Sequence, residues 1–395
     1  MAALTATPQA PTSVAVPHPV FVLTYGKKNI TEDITPYVLS VTYTDYLAGQ
    51  SDELEVELED TDGRWANQWY PGKGDTLSLK IGYDQVPLLP CGAFEVDEIE
   101  FARPPSTVSI RALSTGINKP VRTPGNHGYE NTSLAAIASR VAKRNRLTLV
   151  GKIRDIRIDR VTQYQEHDVG FLTRLGREYG YAFKIVGDQL VFTELSALRD
   201  GDPVGTVALS EIISIRLRDK IKDIYKAVKS KYHDPKAKKL MVIAEKPNGE
   251  TGVIGHTSAP AKSGKASSGD TLKLSSRAGS KATAQTKAQA ALNHANLQQT
   301  GGSITVIGNP KLVAGTTFTL IDCGRLSGRY LVESSRHRLT RGGGYVTELE
   351  VKRVALPTRP GAAKPAPKKS AKGLTVYGEK DGKVQVIGTT TGKKP

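Results

Sequence analysis

The sequence predicts a mainly β protein in which two copies of one β domain flank a small α/β insertion. Three observations carry this expectation. Short alternating segments with Gly and Pro punctuation fill Phe21 to Leu113 and return after Val207. Between them the apolar period changes from that of a strand to that of a helix. The order of strand types in the first β stretch then recurs in the last one.

In the first stretch, "ELEVELED" alternates strictly, with Leu54, Val56 and Leu58 on one face and Glu53, Glu55, Glu57 and Glu59 on the other. "DTDGRW" supplies an Asp-Gly turn. "TLSLKIGY" alternates again with Leu77, Leu79 and Ile81 inward, and "GAFEVDEIEF" and "STVSIRAL" complete a barrel or sandwich. From about Ile117 to Ser196 helices enter. "NTSLAAIASRVAKRNRL" offers Asn131 or Thr132 as a cap, then Leu134, Ile137, Ala138 and Val141 at helical spacing. A second helix follows with Val169, Phe171, Leu172, Leu175 and Tyr179 on one side, and Gly180 where a left-handed residue ends it. "YAFKIVGDQLVF" reads as a hairpin.

β character returns in "VALSEIISIRLRDKIKDIYKAV". A Ser, Ala, Gly and Lys-rich stretch at about 246–277 reads as a mobile loop, and "SKATAQTKAQAALNHANLQ" as an Ala-rich helix. The last β stretch contains "GTTFTLIDC", "SGRYLVESSR" and "VTELEVKR", in the same order as "GDTLSLKIG", "CGAFEVDEIE" and "VSIRAL" earlier. Such duplication lets n chains present 2n similar faces to a ring of higher symmetry. The expected organisation is an N-terminal arm (1–17), a first β domain (18–116), an inserted α/β domain (117–205), a second β domain (206–356) and a basic linker with a terminal hairpin (357–395).

Composition narrows the function classes. The 395 residues suffice for two to four domains, and the formal charge of +16 favours an anionic partner. Cys91 and Cys323 cannot build a zinc ribbon or a disulfide framework, which fits a reducing compartment. No apolar run is long enough to span a membrane. "MAALTATPQAPTSVAVPHPV" has neither a basic n-region nor a continuous apolar core, and is expected to be a flexible arm rather than a signal peptide.

Catalytic signatures are sparse. "SGKAS" at 263–267 lacks the first Gly and the Ser/Thr of a phosphate loop. His18, His127, His167, His233, His256, His294 and His337 are scattered without ligand spacing, and His233-Asp234 before Pro235 reads as a turn. The acids of "ELEVELED" could suggest paired carboxylates, but a solvated or channel-lining strand face is the better reading. The consecutive Glu166, His167 and Asp168, with Glu178 further on, are the densest candidate cluster. Asp168 or Glu166 is placed to cap the second helix, so capping outweighs catalysis or metal binding. No catalytic, metal or cofactor site is assigned. The lysines cluster in two places, Lys226 to Lys246 and Lys364 to Lys394, without the interleaved aromatics of a single-strand binder.

"LEVELEDTDGRWANQWYPGKGDTLSLKIGY", "CGAFEVDEIEFARPPSTVSIRALS", "QYQEHDVGFLTRLGREYGYAFKI", "KATAQTKAQAAL" and "GNPKLVAGTTFTL…GRYLVESSRHRLTRGGGYVTELE" together resemble the phage late control protein D family. These are baseplate hub proteins of contractile tails, related in fold to the base of VgrG spike proteins. The resemblance runs from about Phe21 to Val354. It implies two tube-like β-barrels per chain in a homotrimer whose pseudo-six-fold ring joins the tail tube to the trimeric spike. The tail tube protein, the spike protein, the baseplate wedge proteins and the tape measure protein would then be partners, in a virion or bacteriocin-like particle assembled in the host cytoplasm. DNA would pass the channel, and an acidic "ELEVELED" face would repel its backbone. No enzymatic activity is implied. The competing classes are a tail-associated peptidoglycan hydrolase, which needs a lytic domain, and a nucleic-acid binder suggested by the net charge.

Overall fold

The computed structural model describes residues 17–114, 123–234, 239–245, 270–355, 374–380 and 383–390. Most of the expected N-terminal arm, the "SGKAS" stretch, His256, Lys246 and the tail lysines from Lys364 to Lys372 lie outside these residues. The first β stretch contains β1 (Pro19–Tyr25), β2 (Lys28–Asn29), a one-turn α1 (Thr31–Ile34), β3 (Val38–Tyr46) and β4 (Glu53–Glu59). It continues with β5 (Thr76–Tyr83), β6 (Leu89–Ala102) and β7 (Thr107–Leu113). The insertion comprises β8 (Pro124–Ser133), α2 (Leu134–Arg144), β9 (Thr148–Val150), β10 (Arg157–His167), α3 (Asp168–Tyr179), β11 (Tyr181–Val186), β12 (Gln189–Glu194) and α4 (Leu195–Asp200). Next come β13 (Thr206–Ala208), β14 (Ile212–Asp219), β15 (Ala227–Asp234), β16 (Lys239–Glu245), β17 (Thr271–Ala278) and α5 (Lys281–Leu297). The last part of this unit is β18 (Thr300–Ile307), β19 (Thr317–Ile321), β20 (Gly328–Thr340) and β21 (Gly344–Ala355). A separate C-terminal unit holds the hairpin β22 (Leu374–Lys380) and β23 (Lys383–Thr390).

The protein is mainly β with an α/β insertion, and one 13-stranded sheet runs through both β stretches. Its path decomposes into two matching strand orders, β3-β4-β7-β6-β5-β1 and β14-β18-β21-β20-β19-β13, which differ at the last pair, antiparallel for β1–β5 and parallel for β13–β19. The match extends to register. A bulge interrupts β3–β4 between Val38 and Ser40 and β14–β18 between Ile212 and Ser214. A second bulge follows Val96 in β6 and Val332 in β20. A bulge displaces every later side chain by one position, so coincident bulges fix equivalence residue by residue. The two repeats join where β20 pairs antiparallel with β3, from Ser334↔Tyr46 to Thr340↔Ser40.

Each repeat buries its own apolar face. Leu54, Val56, Leu58, Leu77, Leu79, Ile81, Phe94 and Ile110 form the first core, as the alternation predicted. Ile304, Phe318, Leu320, Tyr330, Val332 and Leu349 form the equivalent second core. The insertion has a third core, in which Ile137, Val141, Phe171, Leu172, Leu175 and Phe192 are buried between α2, α3 and the strands.

Two local expectations differ from the structure. α2 is capped by Ser133, whose Oγ accepts from the Ala136 amide at 3.2 Å, and not by Asn131 or Thr132. Both of those residues lie in β8, where Thr132 pairs with Ile158, so the chain has not yet left the ribbon. The end of the expected loop at 246–277 is β17, paired in parallel with β15. There Leu272 and Leu274 pack against Val228, Ala288 and Leu292.

Leu175→Asp places a charge in the third core and is expected to cost more than about 4 kcal/mol. Exposed His167→Ala is expected to stay within about 0.5 kcal/mol. Denaturant unfolding of both variants checks the contrast.

Candidate functional site

The junction of the two repeats carries a buried cluster of charged side chains. Asp45 and Tyr46 lie at the end of β3, and Asp52 closes the turn before β4. Lys184, on β11 of the insertion, donates from Nζ to Asp45 Oδ1 at 2.7 Å and to Asp52 Oδ2 at 3.2 Å. Asp45 Oδ2 also accepts from the Ala314 amide of the second repeat at 2.9 Å. Asp52 Oδ1 accepts from the Tyr46 amide at 3.1 Å, and its own amide donates to Ser114 Oγ at 3.0 Å. One ammonium and two buried carboxylates thus tie the first repeat, the insertion and the second repeat together. Burial pushes the Asp52 carboxyl up to about 6, with Lys184 pulling it down and Asp45 pushing it further up. Burial also works against the Lys184 charge, yet the two carboxylates hold its pKa above the ordinary value.

Beside this knot His337 of β20 faces Tyr43 of β3 across the seam, with the rings stacked at 6.0 Å. It is fully buried, and its Nδ1 lies 2.8 Å from Tyr345 Oη. Burial lowers its pKa to about 4, so it packs as a neutral ring near pH 7.

The outer face of the joined sheet carries the acids read from "ELEVELED". They do not form a uniformly acidic row. Glu53 pairs with Arg111, whose Nη2 donates at 3.1 Å, and Glu59 accepts from Arg341 at 2.8 Å. Glu55 lies 4.0 Å from Arg336 and takes a hydrogen bond from Ser109, while Glu57 accepts from Ser40. Arginines from β7, β20 and the turn after β20 therefore interleave with the acids.

Glu166, His167 and Asp168 diverge. The cap of α3 is His167, which makes no side-chain cap bond and is exposed. Neither acid caps the helix as expected. The Asp168 carboxylate is buried and accepts from Asn145 Nδ2 at 2.6 Å, Gln163 Nε2 at 2.8 Å and the Arg144 guanidinium. Burial would raise its pKa, but these donors outweigh burial and hold it below the ordinary value. Glu166 pairs with Arg174 at 2.8 Å, and Glu178 with Lys287 of α5 at 2.8 Å. The three consecutive side chains serve structural contacts in different directions. Among the described residues no group of His, Cys, Asp and Glu could hold a metal ion. His233 belongs to β15, and its side chain lies outside the described residues.

The fold is shared with phage tail proteins. The 43 kDa tail protein of prophage MuSo2 from Shewanella oneidensis superposes with a TM-score of 0.62 over 86% of this chain and 100% of that one, at 16% identity. A tail protein from Neisseria meningitidis MC58 gives 0.61 over 85% and 96%, at 13% identity. Sequence similarity then narrows the comparison. The chain is 31% identical over 237 residues to the probable baseplate hub protein of Escherichia phage 186, covering 58% of this chain and 60% of that protein. It is 32% identical over 176 residues to the probable baseplate hub protein of Escherichia phage P2, covering 44% and 45%. The chain thus matches about half the length of these relatives. No family model matches it. The resemblance read from the sequence to phage baseplate hubs stands on these relatives.

Lys184→Met leaves two buried carboxylates without their cation and is expected to destabilise the protein by about 3 kcal/mol near neutral pH. The raised pKa of Asp52 means that its contribution is present below its unfolded value of 3.8 and lost as pH rises through about 6. The Lys184→Met deficit is therefore expected to shrink near about pH 5 and to be largest above about pH 7, measured by urea unfolding across pH. Asp168→Asn removes the negative charge and turns one of two acceptor oxygens into an NH2 that faces donors, and is expected to cost about 2–3 kcal/mol. Because the folded pKa of Asp168 is depressed, that cost holds above its ordinary 3.8 and vanishes as pH falls through the folded value.

Proposed function

We propose that this chain is a structural baseplate hub of a contractile phage tail or phage-tail-like particle, with no enzymatic activity of its own. It acts as a trimeric adaptor between the six-fold tail tube and the three-fold spike. The observation that carries this reading is the duplicated pairing order within one continuous sheet. Each chain offers two equivalent β units, so three chains offer six, and a six-fold tube meets a matching ring while the spike meets three-fold symmetry. The similarity to the probable baseplate hub proteins of phages 186 and P2 supports the same reading. The two repeats are the tube-like barrels, and the insertion between β7 and β13 buttresses their junction through Lys184.

The interleaved acids and arginines refine the channel hypothesis. If this face lines the channel, DNA meets a mixed-charge wall on which Arg111 and Arg341 are already paired with Glu53 and Glu59.

The purified chain, alone and with the spike protein, is expected to give the mass of a trimer in solution and rings with six similar lobes in electron micrographs. A stable monomer in both preparations would sink the hub reading. Clearing of peptidoglycan by the purified chain in a zymogram would instead establish a hydrolase.

A further inference from the structure

The equivalence of the repeats assigns a counterpart to every residue at the internal seam. The bulges align Val332 with Val96 and Ile212 with Val38, which makes Ser334, Arg336 and His337 equivalent to Glu98, Glu100 and Phe101. Likewise Val41, Tyr43, Thr44 and Tyr46 are equivalent to Ile215, Leu217, Arg218 and Lys220. Inside the chain β20 and β3 pair with each other. Their counterparts, the second half of β6 and β14, do not. Among the described residues, Glu98–Ala102 pairs only with β7, and β14 pairs only with β18.

Exposure marks where a neighbour is absent. Phe101 is 52% exposed, whereas its counterpart His337 is 0%. Ile215 is 37% exposed, whereas its counterpart Val41 is 0%. These positions belong to the core-facing side of their strands, and in the partner repeat the seam covers them. A strand edge with open backbone groups and uncovered apolar side chains is a template for another strand.

We propose that β6 of one copy pairs antiparallel with β14 of a second copy, repeating between copies the β20–β3 seam found within each. Transferring the internal register puts Glu98 opposite Lys220, Glu100 opposite Arg218 and Phe101 opposite Leu217. Both charged pairs have opposite sign, and the central core-facing pair, Phe101 with Leu217, is apolar, flanked by Ile99 opposite Asp219 and Arg103 opposite Ile215; the match of the charged pairs and of the central pair is the pattern that favours cross-strand pairing. Glu100 and Arg218 form no salt bridge among the described residues, whereas Glu98 already lies 3.6 Å from Arg111 and would share its charge with Lys220. The two edges are different surfaces of one chain, so the contact is head-to-tail and generates a closed ring or an open filament. The proposal deepens the hub reading and rests on it for the number of copies, while the register does not.

Directly opposed residues in an antiparallel pair have Cα atoms about 4.5–5.5 Å apart, within disulfide range. The full-length chain carrying Glu100→Cys and Arg218→Cys, with Cys323→Ser, is therefore expected to form covalently linked oligomers on oxidation. The off-register pair Glu98→Cys and Arg216→Cys is expected to stay monomeric on a denaturing gel. Glu100→Arg is expected to weaken self-association by tenfold or more, and addition of Arg218→Glu to restore it, measured by sedimentation. Linkage at the off-register pair equal to that at 100–218, or none at either, would overturn the seam, as would failure of the charge swap to rescue. Unlinked trimers that still bind the spike would sink the register and leave the hub reading intact. Linked rings that bind neither tube nor spike would do the reverse.

Discussion

The pairing of β3 with β20 is the constraint on which the rest of the fold depends. It converts two separate β units into one sheet, and it does so between strands almost three hundred residues apart in sequence. Backbone hydrogen bonds along seven residue pairs supply direction, but a sheet seam by itself does not select which strand arrives. Selection comes from side chains at its end. Asp45 is buried with two acceptor oxygens, one satisfied by the insertion through Lys184 and one by the second repeat through the Ala314 amide. A buried carboxylate without those donors would be costly, so the arrangement tolerates one docking of insertion and second repeat and penalises others.

The repeats agree in the register of their shared bulges and differ in the direction of the terminal pair, β1–β5 against β13–β19, and in what fills one connection. Between β3 and β4 the chain makes a tight turn that carries Asp52. Between β14 and β18, at the equivalent position, it builds β15, β16, β17 and α5. Additions have gone into a surface connection while the six-strand pairing order, the bulges and the core positions were kept. α5 packs on this addition with small side chains, Ala284 and Ala288 fully buried, so that the helix lies close to the strands beneath it. Glu178 then links α3 to α5 through Lys287, which joins the two non-repeated parts to each other.

Strand and helix identity, the cores and the duplication were legible in the sequence because each rests on local periodicity. The alternation in "ELEVELED" put Leu54, Val56 and Leu58 inside, and helical spacing put Phe171, Leu172 and Leu175 inside. The continuity of the two repeats was not legible, since no local pattern in β3 or β20 names its distant partner in the same chain. Nor was the Asp45–Asp52–Lys184 knot. Lys184 sits among apolar residues in "YAFKIVG" and reads as the solvent-side position of a hairpin, while its partners lie more than a hundred residues upstream. Glu166, His167 and Asp168 attracted attention for the opposite reason. Adjacency in sequence suggested a shared site, but the β10-to-α3 transition turns each side chain toward different partners.

The long separation across the seam also has a consequence for synthesis. The first repeat is complete by Leu113, while β20 emerges more than two hundred residues later, a wait on the order of ten to forty seconds at ordinary elongation rates. During that time the outer edge of β3 stands open to any passing strand. Its side chains suit the interval: Ser40, Thr42 and Thr44 make one face polar, and Asp45 points a charge toward the core side. An inward carboxylate on an open edge discourages stray pairing until its own donors arrive. The residue that selects the correct neighbour in the finished protein thus also guards the nascent chain against the wrong one.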